Sequence, residues 1–169
     1  MGNHRALVIG AERYGEGFIA LPAVRQDIAS VSDAFRYCGY EVRVCSEDMT
    51  GNASALDKML RDFCRDCQPD DVHVIFFSGH GMLLENVDWV VPAGVSRRDA
   101  VESANQRVST DLSTTVRASN TGLVVFVIDA CRDLQDVPVT KSAAAAWGDP
   151  SRLAIPEEHR PQLGTGLGR

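Results

Sequence analysis

Two tetrapeptides carry the residue types on which thiol chemistry depends. Ser78-Gly79-His80-Gly81 supplies an imidazole able to move protons, and Asp129-Ala130-Cys131-Arg132 supplies a sulfur able to attack a carbonyl. Each follows an apolar run that reads as a strand, Val72 to Phe77 and Leu123 to Ile128, so each is expected where its strand runs out. In a parallel sheet the carboxyl ends of neighbouring strands open on one crevice. Two segments far apart in the chain can therefore meet there as base and nucleophile.

A single cysteine after a strand is more often a packed core thiol. Cys131, however, precedes the polar Arg132-Asp133, and His80 stands between two glycines. Glycines remove bulk and let backbone N–H groups approach a substrate carbonyl. The pair is more specific than either part.

The elements that must position these residues alternate. Arg5 to Gly10 reads as a first strand ending in a glycine-containing loop. A helix follows from Pro22 to about Tyr37, with Val24, Ile28, Val31, Phe35 and Cys38 at helical spacing, and Gly39 stops it. Glu41 to Cys45 alternates as a strand. A second helix from about Ala53 places Leu56, Met59, Leu60, Phe63 and Cys67 on one face. Met82 to Pro92 reads as a hairpin with Glu85-Asn86 at its tip. Arg97-Arg98-Asp99 is expected in a polar loop, and Ser109-Thr110-Asp111 is expected to cap a third helix through about Ala118. Four main strands alternating with helices give an α/β fold with a mostly parallel central sheet covered on both faces. The last apolar strand would then have an uncovered edge.

With 169 residues, 44% hydrophobic and 24% charged, the chain suits one soluble domain. The texture changes after Leu134, so residues 1–135 are assigned to the domain and 136–169 to a flexible linker. A net charge of -6 argues against nucleic acid as a partner. No apolar run approaches a membrane span and no signal peptide opens the chain, which points to the cytoplasm and to no membrane partner. Five cysteines, an odd count, fit free thiols in a reducing compartment. Cys64-x-x-Cys67 lies late in a helix and lacks a second ligand pair, so a core thiol is favoured over a redox or zinc motif. A nucleotide-binding reading is weak, because no phosphate-binding glycine pattern follows the first strand.

From Arg5 to about Asp133 the chain resembles the large catalytic subunit of caspase-like cysteine peptidases, nearest to metacaspases and bacterial caspase-like proteins. The resemblance rests on Arg5 to Gly10, on Leu21 to Gly39 with Gln26-Asp27-Ile28-Ala29, on the His80 tetrapeptide and on the Cys131 tetrapeptide, in that order and spacing. Asp129 stands where animal caspases carry Gln, and Asp133 where they carry Gly.

The resemblance implies a three-layer α/β/α sandwich and a His80–Cys131 dyad, with a backbone carbonyl orienting the imidazole. It implies an oxyanion hole from the backbone N–H groups of Gly81 and Cys131. It also implies a substrate pocket formed by Asp27 and Asp129, with Ser78 and Val24, that takes Arg or Lys before the scissile bond. The expected protein is an autoprocessed endopeptidase of a death or defence pathway, paired with a small-subunit fragment of the same precursor. Arg169 is the expected processing site, with Arg152 and Arg160 as alternatives. No cofactor is assigned. Calcium dependence stays open, since Asp70-Asp71 and Glu47-Asp48 lack the spacing of a calcium loop. The alternative function is a non-catalytic caspase-like scaffold or regulatory module.

Overall fold

The computed structural model describes residues 2–45, 51–118 and 122–134, with the backbone alone for Thr114, Ala118 and residues 131–134. Six strands and four helices fall in this range: β1 (His4–Gly10), α1 (Val24–Tyr37), β2 (Glu41–Cys45), α2 (Ala53–Arg65), β3 (Val72–Leu84), β4 (Val87–Val90), α3 (Arg97–Glu102), β5 (Val108–Ser109), α4 (Ser113–Ala118) and β6 (Leu123–Leu134). The chain divides into a compact unit of Met1–Gln135 and a second, Asp136–Arg169. The second lies outside the described residues, and with it the expected linker and the expected processing sites Arg152, Arg160 and Arg169.

β1, β2, β3 and β6 run parallel, in the order β2-β1-β3-β6. β1 pairs with β3 up to Gly10↔Ser78, and β4 pairs antiparallel with it from Gly81↔Val90. Both therefore lie along one edge of β3, end to end, while β6 takes the other edge. β5 extends the sheet beyond β4.

Side-chain alternation along β3 splits the core in two. Ile75 and Phe77 pack with Leu56, Leu60 and Phe63 of α2, while Phe76 joins Ala6 and Val8 under Ile28, Val31 and Phe35 of α1. Helices on both faces of a parallel sheet make the expected three-layer α/β architecture. α1 ends in a Schellman arrangement: the Tyr40 N–H donates to Phe35 O at 3.0 Å, and the Phe35 and Tyr40 rings meet at 5.3 Å. At the start of α2, Asn52 accepts from the Ala55 N–H at 3.1 Å.

Beneath the sheet's amino end, Asp71 ties the chain together. Its carboxylate accepts from the Asn3 N–H at 2.6 Å and the Gln68 N–H at 3.0 Å, and these bonds, Asn3 first, hold it below the usual carboxylate range. His73, fully buried, donates from Nδ1–H to the Phe63 carbonyl oxygen at 2.9 Å.

Four expectations need correction. The two tetrapeptides do not follow their strands but lie inside them, because β3 continues to Leu84 and β6 to Leu134. The β4 hairpin supplies hydrogen-bond partners just where β1 stops, so β3 has no reason to end at Phe77. Arg97-Arg98-Asp99 is helical rather than a loop: Ser96 accepts from the Asp99 N–H at 3.1 Å, and a cap can nucleate six residues that show no apolar period. The helix expected from Ser109 starts at Ser113, with Asp111 accepting from the Ser113 N–H at 2.9 Å, while Ser109 pairs with Trp89 in β5. Cys38, counted in the apolar stripe of α1, is exposed at the helix end. The hairpin matches expectation, turning at Glu85 and Asn86 with φ of 53° and 63°.

Candidate active site

His80 occupies the gap between the end of β1 and the start of β4. Its N–H donates to the Tyr14 hydroxyl at 2.7 Å, and its carbonyl accepts from the Val91 N–H at 3.0 Å. The imidazole is only 4% exposed. Nε2 lies 2.9 Å from the carbonyl oxygen of Ile19. A carbonyl can only accept, so Nε2 carries the proton and Nδ1 is the basic nitrogen. Phe18 stacks on the ring at 4.7 Å and 25°, and Tyr14 meets it edge-on at 4.6 Å and 69°.

This loop gives Gly79 a reason the sequence reading did not supply. A Cβ at position 79 would stand 2.4 Å from the Tyr14 hydroxyl and 3.0 Å from the Phe77 ring. The first glycine of the tetrapeptide thus makes room for Tyr14 rather than for a ligand.

Position 131 is the register partner of position 80 on the adjacent parallel strand. Neighbouring strands lie about 4.8 Å apart, so the backbones bearing the two residues are side by side. The pairing continues past them to Leu83↔Leu134. Since the His80 N–H and C=O point toward Tyr14 and Val91, strand alternation turns the Gly81 N–H toward β6. The same alternation turns the Cys131 N–H toward β3. Both amides expected in an oxyanion hole lie within the ladder. An open cavity of about 350 Å³ adjoins this stretch, lined by Gly81, Trp89, Ile128 and Ala130 among others.

Of the expected specificity residues, Ser78, Asp129 and Val24 lie at the same end of the sheet. Gly10, Ser78 and Asp129 form one register row across β1, β3 and β6. A Cβ on Gly10 would come within 2.6 Å of Ile28 Cγ1 and 2.9 Å of Val24 Cγ1, so the absent side chain lets the first turn of α1 settle onto this row. Val24 and Ser78 are buried, Asp27 is half-buried and Asp129 is exposed. Sequence reasoning missed Glu12, which binds the Arg25 guanidinium bidentately at 3.1 and 2.8 Å beside a cavity of about 210 Å³ lined by Gly10, Val24 and Ile28. It also missed Tyr14, Phe18 and Ile19. The available signal was two aromatics interleaved with Gly15 and Gly17 immediately after a strand.

The buried thiols are poor candidates for nucleophilic work. Burial, then the neighbouring Cys67, pushes the Cys64 thiol up to about 11. Burial also raises Cys45 and Cys67. Cys64 and Cys67 are both buried and free, as expected of core thiols. Among the described residues no group of three or more His, Cys, Asp or Glu is arranged to hold a metal ion, and no helix is long and apolar enough to cross a membrane.

Fold and site together define a class: a helix-flanked parallel sheet whose adjacent strands bear a histidine and a cysteine in register, the histidine oriented by a main-chain carbonyl. The chain belongs to the caspase domain family of cysteine peptidases, which it matches over residues 3–160. That match spans every element described above. Comparison with curated proteins returned no significant match.

Proposed function

We propose that this chain is the catalytic part of an endopeptidase that cuts proteins after Arg or Lys, in a pathway of regulated death or defence. The observation that carries the reading is the register 80↔131 combined with an imidazole whose Nε2 is committed to Ile19. Cys131 Sγ attacks the peptide carbonyl while its proton passes to His80 Nδ1, and a tetrahedral oxyanion forms. The imidazolium returns that proton to the leaving amine as the C–N bond breaks. His80 next takes a proton from water, whose oxygen attacks the thioester and releases the acid and the free thiol. The N–H groups of Gly81 and Cys131 hold the oxyanion once the ladder parts at that point.

Specificity rests on charge. Asp129 at the rim and Asp27 on the first turn of α1, with Ser78 and Val24 between them, favour a guanidinium or ammonium and repel an acidic side chain. The partner is a small-subunit fragment that adds strands to β6, whose Leu123, Val125 and Val127 are exposed apolar residues on one face. Hydrolysis of fluorogenic peptides with Arg, Lys, Leu or Asp before the reporter tests the reading. Turnover of Arg and Lys alone, abolished by Cys131→Ala, is the expected result. Equal turnover of all four peptides, or activity surviving in Cys131→Ala, would overturn it.

A further inference from the structure

We infer that Tyr14 and Phe18 are positioning residues that hold His80 in its working orientation, an inference that rests on reading His80 as the general base. A histidine that shuttles protons must present one particular nitrogen, and rotation of the ring by half a turn would present carbon instead. The Ile19 carbonyl sets which nitrogen is protonated, through a hydrogen bond at 2.9 Å from a residue that is itself 73% exposed. Phe18, stacked at 4.7 Å, and Tyr14, edge-on at 4.6 Å, restrict the ring plane from two directions. The Tyr14 hydroxyl also takes the His80 N–H at 2.7 Å, fixing the backbone from which the ring projects.

The clamp is itself held in place. Its loop is stitched to the segment leading into α3 by three backbone hydrogen bonds: Gly94 N–H to Arg13 O at 2.8 Å, Gly15 N–H to Val95 O at 2.9 Å and Arg97 N–H to Glu16 O at 2.8 Å. Phe18 packs with Met82, Val91 and Val95 in a small core of their own, and Tyr14 bridges that core and the one under α2. Neither aromatic residue lies in the rows that carry Cys131 or the expected pocket acids. Their effect therefore falls on proton transfer rather than on substrate binding.

The test combines kinetics on an Arg peptide with ¹⁵N NMR of the His80 side chain in the full chain. Phe18→Leu should lower kcat by about 10- to 100-fold with KM changed less than about twofold, since small misplacements of a reacting group cost on that order. Phe18→Tyr, which keeps the stacked ring, should recover kcat to within about threefold, and Tyr14→Phe should lose about 10-fold. The NMR spectrum should show a single Nε2–H tautomer in the unmodified chain and a drift toward the mixture of a free imidazole in Phe18→Leu. An unchanged tautomer and kcat in both Phe18→Leu and Tyr14→Phe would overturn the inference. Equal losses in kcat for Phe18→Tyr and Phe18→Leu would also count against it. A chain that holds the single tautomer yet hydrolyses no peptide would contradict the peptidase reading, while the tautomer comparison would still decide the clamp.

Discussion

Phe76 and Val127 face each other across one register row, yet Phe76 is 8% exposed and Val127 is 42% exposed. The difference is α1, which roofs the β1 and β3 half of this face through Ile28, Val31 and Phe35. Over the β6 half, no described residue plays that part. The proposed dyad straddles this boundary. His80 sits on the covered side, enclosed by Tyr14, Phe18 and Ile19, while position 131 belongs to the strand whose neighbours Val125 and Val127 face outward. The two halves of the row differ in kind: described residues enclose the base on one side, and the nucleophile's strand carries exposed apolar side chains on the other.

The sharpest way to break the comparison is to remove either member of the dyad. His80→Ala and Cys131→Ala should each lower kcat/KM on an Arg peptide by at least about 10³-fold, with melting temperatures near that of the unmodified chain for Cys131→Ala. Retained turnover in either variant would mean that the two residues do not act together. Next in size is Asp129→Asn. Loss of one carboxylate facing a charged guanidinium should cost roughly 100-fold in kcat/KM for Arg, with little effect on a Leu peptide, as competitive assays would show.

The two sides of the Phe76–Val127 row should respond differently to mutation. Phe76→Ala removes a ring packed under α1 and should destabilise by about 3–5 kcal/mol in denaturant unfolding. Val127→Lys, on the open side, should leave the fold within about 0.5 kcal/mol of the unmodified chain. It should nonetheless weaken capture of the small-subunit fragment, measured by co-purification. A large stability loss in Val127→Lys would show that the face is covered by the chain itself.

The smallest effect concerns Asp71, far from the site. Its carboxyl is held below the ordinary range by the Asn3 and Gln68 N–H groups, so ionisation favours the folded state. That contribution is present above the usual carboxylate value and is lost as pH falls through the depressed one. Asp71→Asn should therefore lower the melting temperature at pH 7 and do so less at pH 3. An equal decrement at both values would contradict the assignment.

Much of this was readable beforehand, for identifiable reasons. Strands β1, β2, β3 and β6 announced themselves because parallel strands buried on one or both faces leave apolar runs or clean alternation. α1 and α2 did so through apolar residues at helical spacing, and the Glu85-Asn86 turn through its position between two apolar arms. His80 and Cys131 stood out because their tetrapeptides interrupt apolar runs with polar and small residues. Strand ends were less legible. Nothing local in Ser78-Gly79-His80-Gly81 shows that β4 will arrive to prolong β3, because that partner is supplied by tertiary contact. α3 is too short for periodicity and is recognised only by the Ser96 cap. Tyr14 and Phe18 were invisible for the same reason as β4: they reach His80 across a loop whose path depends on its bonds to residues 94–97. The proposed pocket acids Asp27 and Asp129 needed the family resemblance, since a lone Asp on a first helical turn is ordinarily a solvated residue.

The most direct test is the rate at which a chloromethyl ketone with an Arg side chain alkylates the chain, followed by peptide mass mapping. The account predicts modification at Cys131, slowed at least about 10²-fold in His80→Ala and blocked by excess arginine peptide. Labelling of Cys131 at the same rate with and without the imidazole would contradict it.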